Sequence, residues 1–192
     1  KKGLQATFAH AVIDDIRGFL GQAAGGLADL EAIETAARAR ALGIAATVVA
    51  EFINSDTTDH AGPSMPCPHC DEMARYAGRR KKVITTTMGP MSLSRAYYDC
   101  GGCGQGFFPR DHALGIGDSS LSPFLVRSIG TVASMVSFQE SSELLGELAG
   151  LDIDAKQVER TAEALGKEIA GHERTVADEG GPHAGTLYLG LD

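Results

Sequence analysis

Apolar residues recur at helical spacing through the first quarter of the chain. Residues 4–21 predict one amphipathic helix, residues 27–53 predict a longer second helix, and a Gly-Gly pair separates the two. Two helices joined by a short turn form a helical hairpin, whose apolar faces need each other or a partner chain. A helical hairpin over residues 1–54 is compatible both with a packing scaffold and with a dimerisation arm, which would place homo-oligomer contacts within residues 4–53.

The middle of the chain has the composition of β-strands. A polar, turn-rich linker covers residues 55–64, and β-branched and aromatic residues then dominate Val83–Thr87 and Leu93–Tyr98. Met88-Gly89-Pro90, between these two runs, is typical of a turn. The pattern predicts a β-hairpin inside a module of residues 65–110.

Helical spacing returns over residues 118–172. Ser122-Pro123 predicts the start of an almost wholly apolar helix, which we expect to be buried. A second helix is predicted over Phe138–Ala149. Three of its leucines are expected to point inward: Leu144, Leu145 and Leu148.

A third helix in this region is predicted to begin at Asp154, which would form a capping-box-like pair with Gln157. Helix, glycine-containing turn and capped helix is the plan of a helix-turn-helix, although an ordinary helical corner has the same pattern. In a helix-turn-helix the second helix reads the DNA. The candidate reading residues on its outer side are Lys156, Gln157 and Arg160.

The four cysteines of the chain form two Cys-x-x-Cys pairs, Cys67/Cys70 and Cys100/Cys103, with 29 residues between the pairs. Two such turns complete a tetrahedral set of four thiolates, the arrangement that zinc favours in closed structural sites. Two disulfides or a redox pair are the alternatives, but a thioredoxin-like site needs one such pair in a βαβ setting. The spacing therefore predicts a zinc ribbon, in which the metal folds the chain and performs no chemistry.

The formal net charge of −8 argues at first against a nucleic-acid partner, but its distribution is uneven. Residues 66–110 carry seven Lys/Arg and three Asp/Glu, and so are the only basic island on an acidic chain. Local charge decides where a polyanion can dock. The candidate phosphate contacts on the hairpin are Arg79, Arg80, Lys81, Lys82 and Arg95.

No apolar run approaches the length needed to cross a bilayer.

The order of these motifs is similar to the N-terminal half of bacterial insertion-sequence transposases of the ISKra group. The resemblance covers nearly everything from about residue 60 onward. It rests on Cys-Pro-His-Cys, the basic hairpin, Tyr-Tyr-Asp-Cys-Gly-Gly-Cys and a Leu-Ser-Pro helix. Lys-Gln-Val-Glu-Arg-Thr-Ala-Glu-Ala-Leu-Gly and the final Tyr-Leu-Gly-Leu-Asp are its most distinctive parts after the cysteines.

The resemblance implies a mainly α, α+β chain that binds double-stranded DNA in the bacterial cytoplasm, at the nucleoid. It also implies that residues 184–192 are the first strand of an RNase H-like domain and that Asp192 is the first acidic ligand of a DDE triad. Such triads hold two Mg²⁺ ions for strand cleavage and transfer. The second Asp and the Glu of such a triad are missing from this sequence, which ends at Asp192. We therefore expect the chain to bind DNA without cutting it. A transposase-derived regulator or a protein-interaction subunit is the alternative.

Overall fold

The computed structural model of the chain describes residues 12–14, 16–18 and 29–177. Within them the protein is α+β, as predicted, with helices and one four-stranded antiparallel sheet. The helices are α1 (Leu30–Ser55), α2 (Pro109–Ala113), α3 (Pro123–Ala133), α4 (Phe138–Ala149) and α5 (Ala155–Ala177). The strands are β1 (Ser64–Pro66), β2 (Met73–Thr86), β3 (Gly89–Asp99) and β4 (Gly106–Phe107). No helix among these is long and apolar enough to cross a bilayer.

The described residues group into two compact units. One runs up to Arg127 and includes Ala149–Leu151, and the other comprises Ser128–Leu148 and the residues from Asp152 on. The first unit contains α1 and the whole sheet, and therefore the cysteines. The second contains α4 and α5, the pair that the sequence predicts as a helix-turn-helix.

Helix α1 is long and largely exposed. The carboxylate of Asp29 accepts the N–H of Ala32 and caps its first turn. Of its 26 residues only Ala46 is buried, whereas the side chains of Leu30 and Phe52 are 71% and 75% exposed. Of the helix predicted before it, residues 12–14 and 16–18 are helical, and the remainder lies outside the described residues.

The sheet is a meander in the order β1-β2-β3-β4, and its centre is the long β2–β3 hairpin. This hairpin confirms the predicted one, and it extends further because the basic residues and the segment before them also belong to β2. A bulge between Tyr76 and Arg79, with Gly78 at φ 97°, interrupts the register. Beyond the bulge the cations alternate between the two faces of the sheet, so Arg79 and Lys81 lie on one face and Arg80 and Lys82 on the other.

The free edge of β3 is covered by side chains that stand in for another strand. Asn54, near the end of α1, donates to the carbonyl of Ser92 and accepts the N–H of Ser94 at 2.9 and 2.7 Å. Asp59 accepts the N–H of Ala96 at 2.8 Å. These contacts satisfy backbone groups that an exposed edge would otherwise offer to other chains. The predicted linker of residues 55–64 is therefore packed against the sheet through Asp59.

Asp59 is also the centre of a buried ion cluster. Arg79 donates to both of its carboxylate oxygens, at 3.0 and 3.2 Å, and Arg110 donates to one of them at 3.0 Å. Burial by itself would raise the pKa of Asp59, but the hydrogen bonds from Arg79 and Ala96 and the charge of Arg110 outweigh it and hold the pKa below its ordinary value. Arg110 also donates to the carbonyls of Ile53 and Asp56, tying the end of α1 to α2.

A second ion cluster lies on the opposite face of the hairpin, around Asp111 of α2. Its carboxylate accepts a short hydrogen bond from Arg95, and both side chains are buried. Lys82 lies 3.9 Å from the same carboxylate and donates to the carbonyl of Gly117 at 2.7 Å. Ile84, Leu93 and Ile116 form the apolar core beside this cluster.

In the second unit the predicted helices are present, but their inward faces are narrower than expected. Leu145 is buried, as predicted, whereas Leu144 is 38% and Leu148 is 67% exposed, so the expectation for these two leucines is wrong. The helix after Ser122 is likewise only partly buried. Its Leu125 and Ile129 are inaccessible, yet Met135, just after its end, is 77% exposed. A stripe of about 100° suffices to pack one helix on another, so the other apolar side chains stay at the surface.

The predicted cap of α5 is present, but the predicted capping box is not formed there. Asp154 accepts the N–H of Gln157 at 2.8 Å, which confirms the predicted cap, but the side chain of Gln157 donates to Thr161 and does not reach back to close a capping box. A complete capping box lies instead at α4, where Ser137 and Glu140 each accept the other's N–H. The Ser137 hydroxyl and N–H lower the pKa of Glu140.

Replacing Asp59 by Asn should unfold the first unit more easily. The substitution keeps the shape but leaves Arg79 and the buried Arg110 without their carboxylate, and breaking one side of a buried ion pair costs about 3 kcal/mol or more. Urea unfolding in the presence of zinc measures the change. Asp56→Asn is the matched control, because Asp56 lies 3.8 Å from Arg110 with a side chain that is 54% exposed, and its loss should change the free energy of unfolding far less than the loss of Asp59 does. Equal effects of the two variants would contradict the assigned role of Asp59.

Candidate metal centre

The two Cys-x-x-Cys segments form turns of the same construction. In each, the N–H of the first cysteine donates to the carbonyl five residues on (Glu72 and Gln105), and its carbonyl accepts the N–H four residues on (Asp71 and Gly104). The residue four positions after the first cysteine has positive φ in both turns, 59° at Asp71 and 69° at Gly104. The left-handed conformation is less favourable in the first turn than in the second. Gly104 adopts it freely, whereas Asp71 only tolerates it, although aspartate does so better than most residues.

These turns connect neighbouring antiparallel strands, so the topology itself brings the cysteines together. Cys67 and Cys70 lie between β1 and β2, and Cys100 and Cys103 lie between β3 and β4. Because β2 and β3 are the two arms of one hairpin, both turns fall at its open end. The sequence predicts this placement.

The four sulfur atoms all lie within 4.8 Å of one another. The distance from Cys67 Sγ to Cys103 Sγ is 3.7 Å, and that from Cys70 Sγ to Cys100 Sγ is 3.5 Å. A tetrahedral zinc with Zn–S bonds of about 2.3 Å holds its sulfurs about 3.8 Å apart. The donor set and its spacing therefore fit a metal ion such as zinc, and a set of four thiolates leaves no position for a catalytic water.

The pKa values of the thiols also favour a bound metal ion. The N–H of Cys103 lowers the pKa of Cys100 to about 7, with help from the N–H of Gly102 and against the effect of burial. The N–H of Glu72 acts to lower the pKa of Cys70, but the neighbouring thiols and burial raise it to about 12. One thiolate thus makes the next less favourable, as expected for like charges in contact. A divalent cation removes this conflict because it stabilises all four thiolates.

An apolar cluster supports the centre from inside the sheet. Cys67 and Cys100 are fully buried and pack with Ala74, Ala96 and Tyr98. The hydroxyl of Tyr98 donates to the carbonyl of Gly62 at 3.0 Å and accepts the N–H of Ala61 at 2.9 Å. Cys70 and Cys103 are exposed, so one pair of ligands is buried in the protein and the other pair faces solvent. His69 is exposed, and the cluster of metal-ligating side chains found in the described residues consists of the four cysteines alone.

The structure divides the five hairpin cations proposed as DNA contacts into two groups. Arg79, Lys82 and Arg95 are paired inside the fold, with Asp59 or Asp111. Arg95 is 5% exposed and therefore contributes nothing to an outer basic surface. Arg80 and Lys81 are exposed, and no carboxylate of the described residues lies within ion-pair distance of either.

The residues proposed to read DNA bases lie on α5. Lys156 and Arg160 are exposed one turn apart, while Gln157 is half-buried and donates to Thr161 at 3.2 Å. Glu159 and Glu163 are exposed along the same helix, so its outer side has mixed charge. Asp192 and the strand predicted over residues 184–192 lie outside the described residues.

The residues that decide which hairpin cations remain exposed could not be identified from the neighbouring sequence. Asp59 and Asp111 neutralise cations 20 and 16 residues away, and nothing in their immediate neighbours indicates this. The capping box at Ser137 could have been found, because Ser-x-x-Glu before an apolar run is its ordinary pattern.

Comparison with known proteins adds no relative: no family model matches the chain, and no curated protein or solved structure matches it. The resemblance to ISKra-group transposases therefore remains a hypothesis supported by the motifs that carry it.

Replacing Cys67 or Cys100 by Ser should release the metal and melt the sheet. Structural zinc in small modules contributes on the order of 10 kcal/mol to folding. Metal content by mass spectrometry of the native protein and thermal unfolding measure the two effects together. His69→Ala is the control and should leave both unchanged. Unaltered metal content and stability in the Cys67→Ser variant would contradict a four-thiolate site.

Gly104→Ala should destabilise the second turn by about 1–2 kcal/mol, because an added Cβ is unfavourable in the left-handed conformation. Gly101→Ala in the same turn is the matched control. Gly101 has ordinary φ and open space around the added Cβ, so its substitution should be nearly neutral. Thermal unfolding of the two zinc-loaded variants separates them, and equal midpoints would mean that the turn geometry differs from that described.

Proposed function

We propose that the ribbon is a zinc-stabilised module that binds double-stranded DNA, and that the chain is the DNA-recognition portion of a DDE-type transposase. The observation that carries the proposal is the exposure of Arg75, Arg80 and Lys81 on a hairpin whose other cations are neutralised internally. Exposed cations on a rigid support attract phosphates without desolvating a carboxylate partner. The transposase part of the proposal rests on the sequence resemblance.

The basic surface that supports this proposal is smaller than the sequence suggests. Four of the seven cations in residues 66–110 form ion pairs with Asp59 or Asp111: Arg79, Lys82, Arg95 and Arg110. Both aspartates lie outside that stretch, so a count over the basic island alone overstates its surface charge. The three cations that remain exposed imply few phosphate contacts, and therefore weak, salt-sensitive binding by the ribbon alone.

We propose that α5 recognises the DNA sequence through Lys156 and Arg160. The turn before it supports this role, because Gly150 at φ 66° ends α4 and Asp154 starts α5 after a short connection. Gln157 is the weakest of the three proposed readers, since its amide is engaged with Thr161. In the transposase hypothesis this helix reads a transposon end while the ribbon holds the backbone, and Asp192 is a ligand of a Mg²⁺ site in a complete catalytic domain.

A protein-interaction subunit is the second candidate, and the exposure of α1 favours it. Leu30 and Phe52 are more than two-thirds exposed on a helix with a single buried residue. Phe52 lies one helical turn from Val48, which is 39% exposed, and adjoining exposed apolar side chains of this kind form a surface that can bind another protein or another copy of the chain. Salt separates the candidates, because phosphate contacts weaken steeply with salt and apolar interfaces do not.

Replacing Arg75, Arg80 and Lys81 together by Ala should weaken binding to all DNA sequences alike. Each phosphate contact that is lost should reduce the slope of log K against log salt by about 0.9. Fluorescence anisotropy with a short random-sequence duplex, at about 0.05 M and about 0.2 M salt, measures the slope, and metal content is determined on the same samples. A slope like that of the wild type would contradict phosphate contacts by these three residues, and no binding by the wild type at low salt with the metal present would favour the protein-interaction candidate.

A further inference from the structure

Two arginines face each other directly across the central hairpin. Arg80 of β2 pairs in register with Arg95 of β3, and like charges in this position repel. Their side chains separate. Arg95 is buried and donates to Asp111, while Arg80 is exposed, with its guanidinium carbon 3.4 Å from the centroid of the Tyr97 ring. The exposed member of the pair is therefore held by an aromatic face and not by a carboxylate.

The Tyr97 ring is itself fixed from behind. Its centroid lies 5.0 Å from that of Phe108, and the guanidinium carbon of Arg95 lies 3.9 Å from the Phe108 centroid. Tyr97 also covers Gly106 so closely that a Cβ there would lie 2.0 Å from the tyrosine oxygen. The result is a continuous row of contacts from the exposed Arg80 through Tyr97 and Phe108 to the buried Arg95, in which the two rings are tilted by 44° to each other.

We propose that Arg80 is the principal contact of the ribbon to a phosphodiester of duplex DNA, and that Tyr97 is the positioning residue that holds its guanidinium. This inference rests on the proposed DNA-binding function and names the residue pair that performs it. A guanidinium stacked on a ring keeps its N–H donors at the edge of the plane, where they can form the paired hydrogen bonds that phosphate oxygens accept. Fixing the side chain in advance removes part of the entropy lost on binding.

Lys81, the next residue along the strand, provides the comparison. It has the same charge and is also exposed, but it lies on the opposite face of the sheet beside an open groove of about 510 Å³ between α1 and the β2–β3 turn. No aromatic ring among the described residues stacks on it, so its ammonium group is not pre-positioned.

The experiment measures duplex DNA binding by the zinc-loaded chain and its variants at several salt concentrations. Arg80→Ala should weaken binding about fivefold at about 0.15 M salt and reduce the salt slope by about 0.9, as expected for one lost phosphate contact. Lys81→Ala should weaken it less than about twofold, because distant cations act only through screened attraction. Tyr97→Phe should bind like the wild type, since the ring is retained.

Tyr97→Leu distinguishes positioning from support of the fold. It should weaken binding while Arg80 is present and have no further effect in the Arg80→Ala background, because there is then no guanidinium to hold. Equal losses for Arg80→Ala and Lys81→Ala would overturn the assignment of Arg80. Additive effects of Arg80→Ala and Tyr97→Leu would overturn the role of Tyr97. Absence of wild-type binding would instead remove the DNA-binding function itself, and with it this inference.

Discussion

The convergence of four cysteine sulfurs is the constraint on which the sheet depends. β1 has three residues and β4 has two, lengths at which strand pairing alone is marginal in water. Each of these strands is nevertheless held against the central hairpin, because a cysteine turn joins it to its neighbour and the two turns share one cluster of ligands. The apolar support behind the cluster is small, and Cys67 and Cys100 are themselves part of it. Metal binding and folding of this sheet are therefore expected to be one process.

Charge balance decides how much of the hairpin is available for a partner. Two buried aspartates, Asp59 and Asp111, lie on opposite faces of the sheet and neutralise the cations that the fold must enclose. Asp111 attaches α2 to the sheet, and Asp59 does so through Arg110, which also binds the end of α1, so the ion clusters fix the arrangement of these elements in the first unit. Removing Asp59 or Asp111 would leave a buried guanidinium without compensation, which is more damaging than losing an exposed pair.

The proposed DNA surface follows from how one electrostatic conflict is resolved. Arg80 and Arg95 cannot both stay above the same stretch of sheet, and the fold buries one with Asp111 and stacks the other on Tyr97. An arginine held by a ring keeps its full charge at the surface, whereas an arginine held by a carboxylate does not. The hairpin thus presents a fixed cation without a carboxylate partner among the described residues, and this supports a polyanionic partner although the net charge of −8 opposes one.

Features that depend only on neighbouring residues could be predicted from the sequence. The Cys-x-x-Cys spacing predicts the four-sulfur cluster, the β-branched runs predict the hairpin, and Asp154 predicts the start of α5, because turns, strand alternation and caps are set within a few residues. Which cations of the hairpin are neutralised depends instead on contacts between residues that are distant in sequence. The run from Arg79 to Lys82 reads as one basic patch, yet strand alternation sends its members to two faces, and aspartates distant in sequence neutralise Arg79 and Lys82. Burial of Leu145 beside the exposed Leu144 and Leu148 is of the same kind, since which part of an apolar face is covered depends on the element that packs against it.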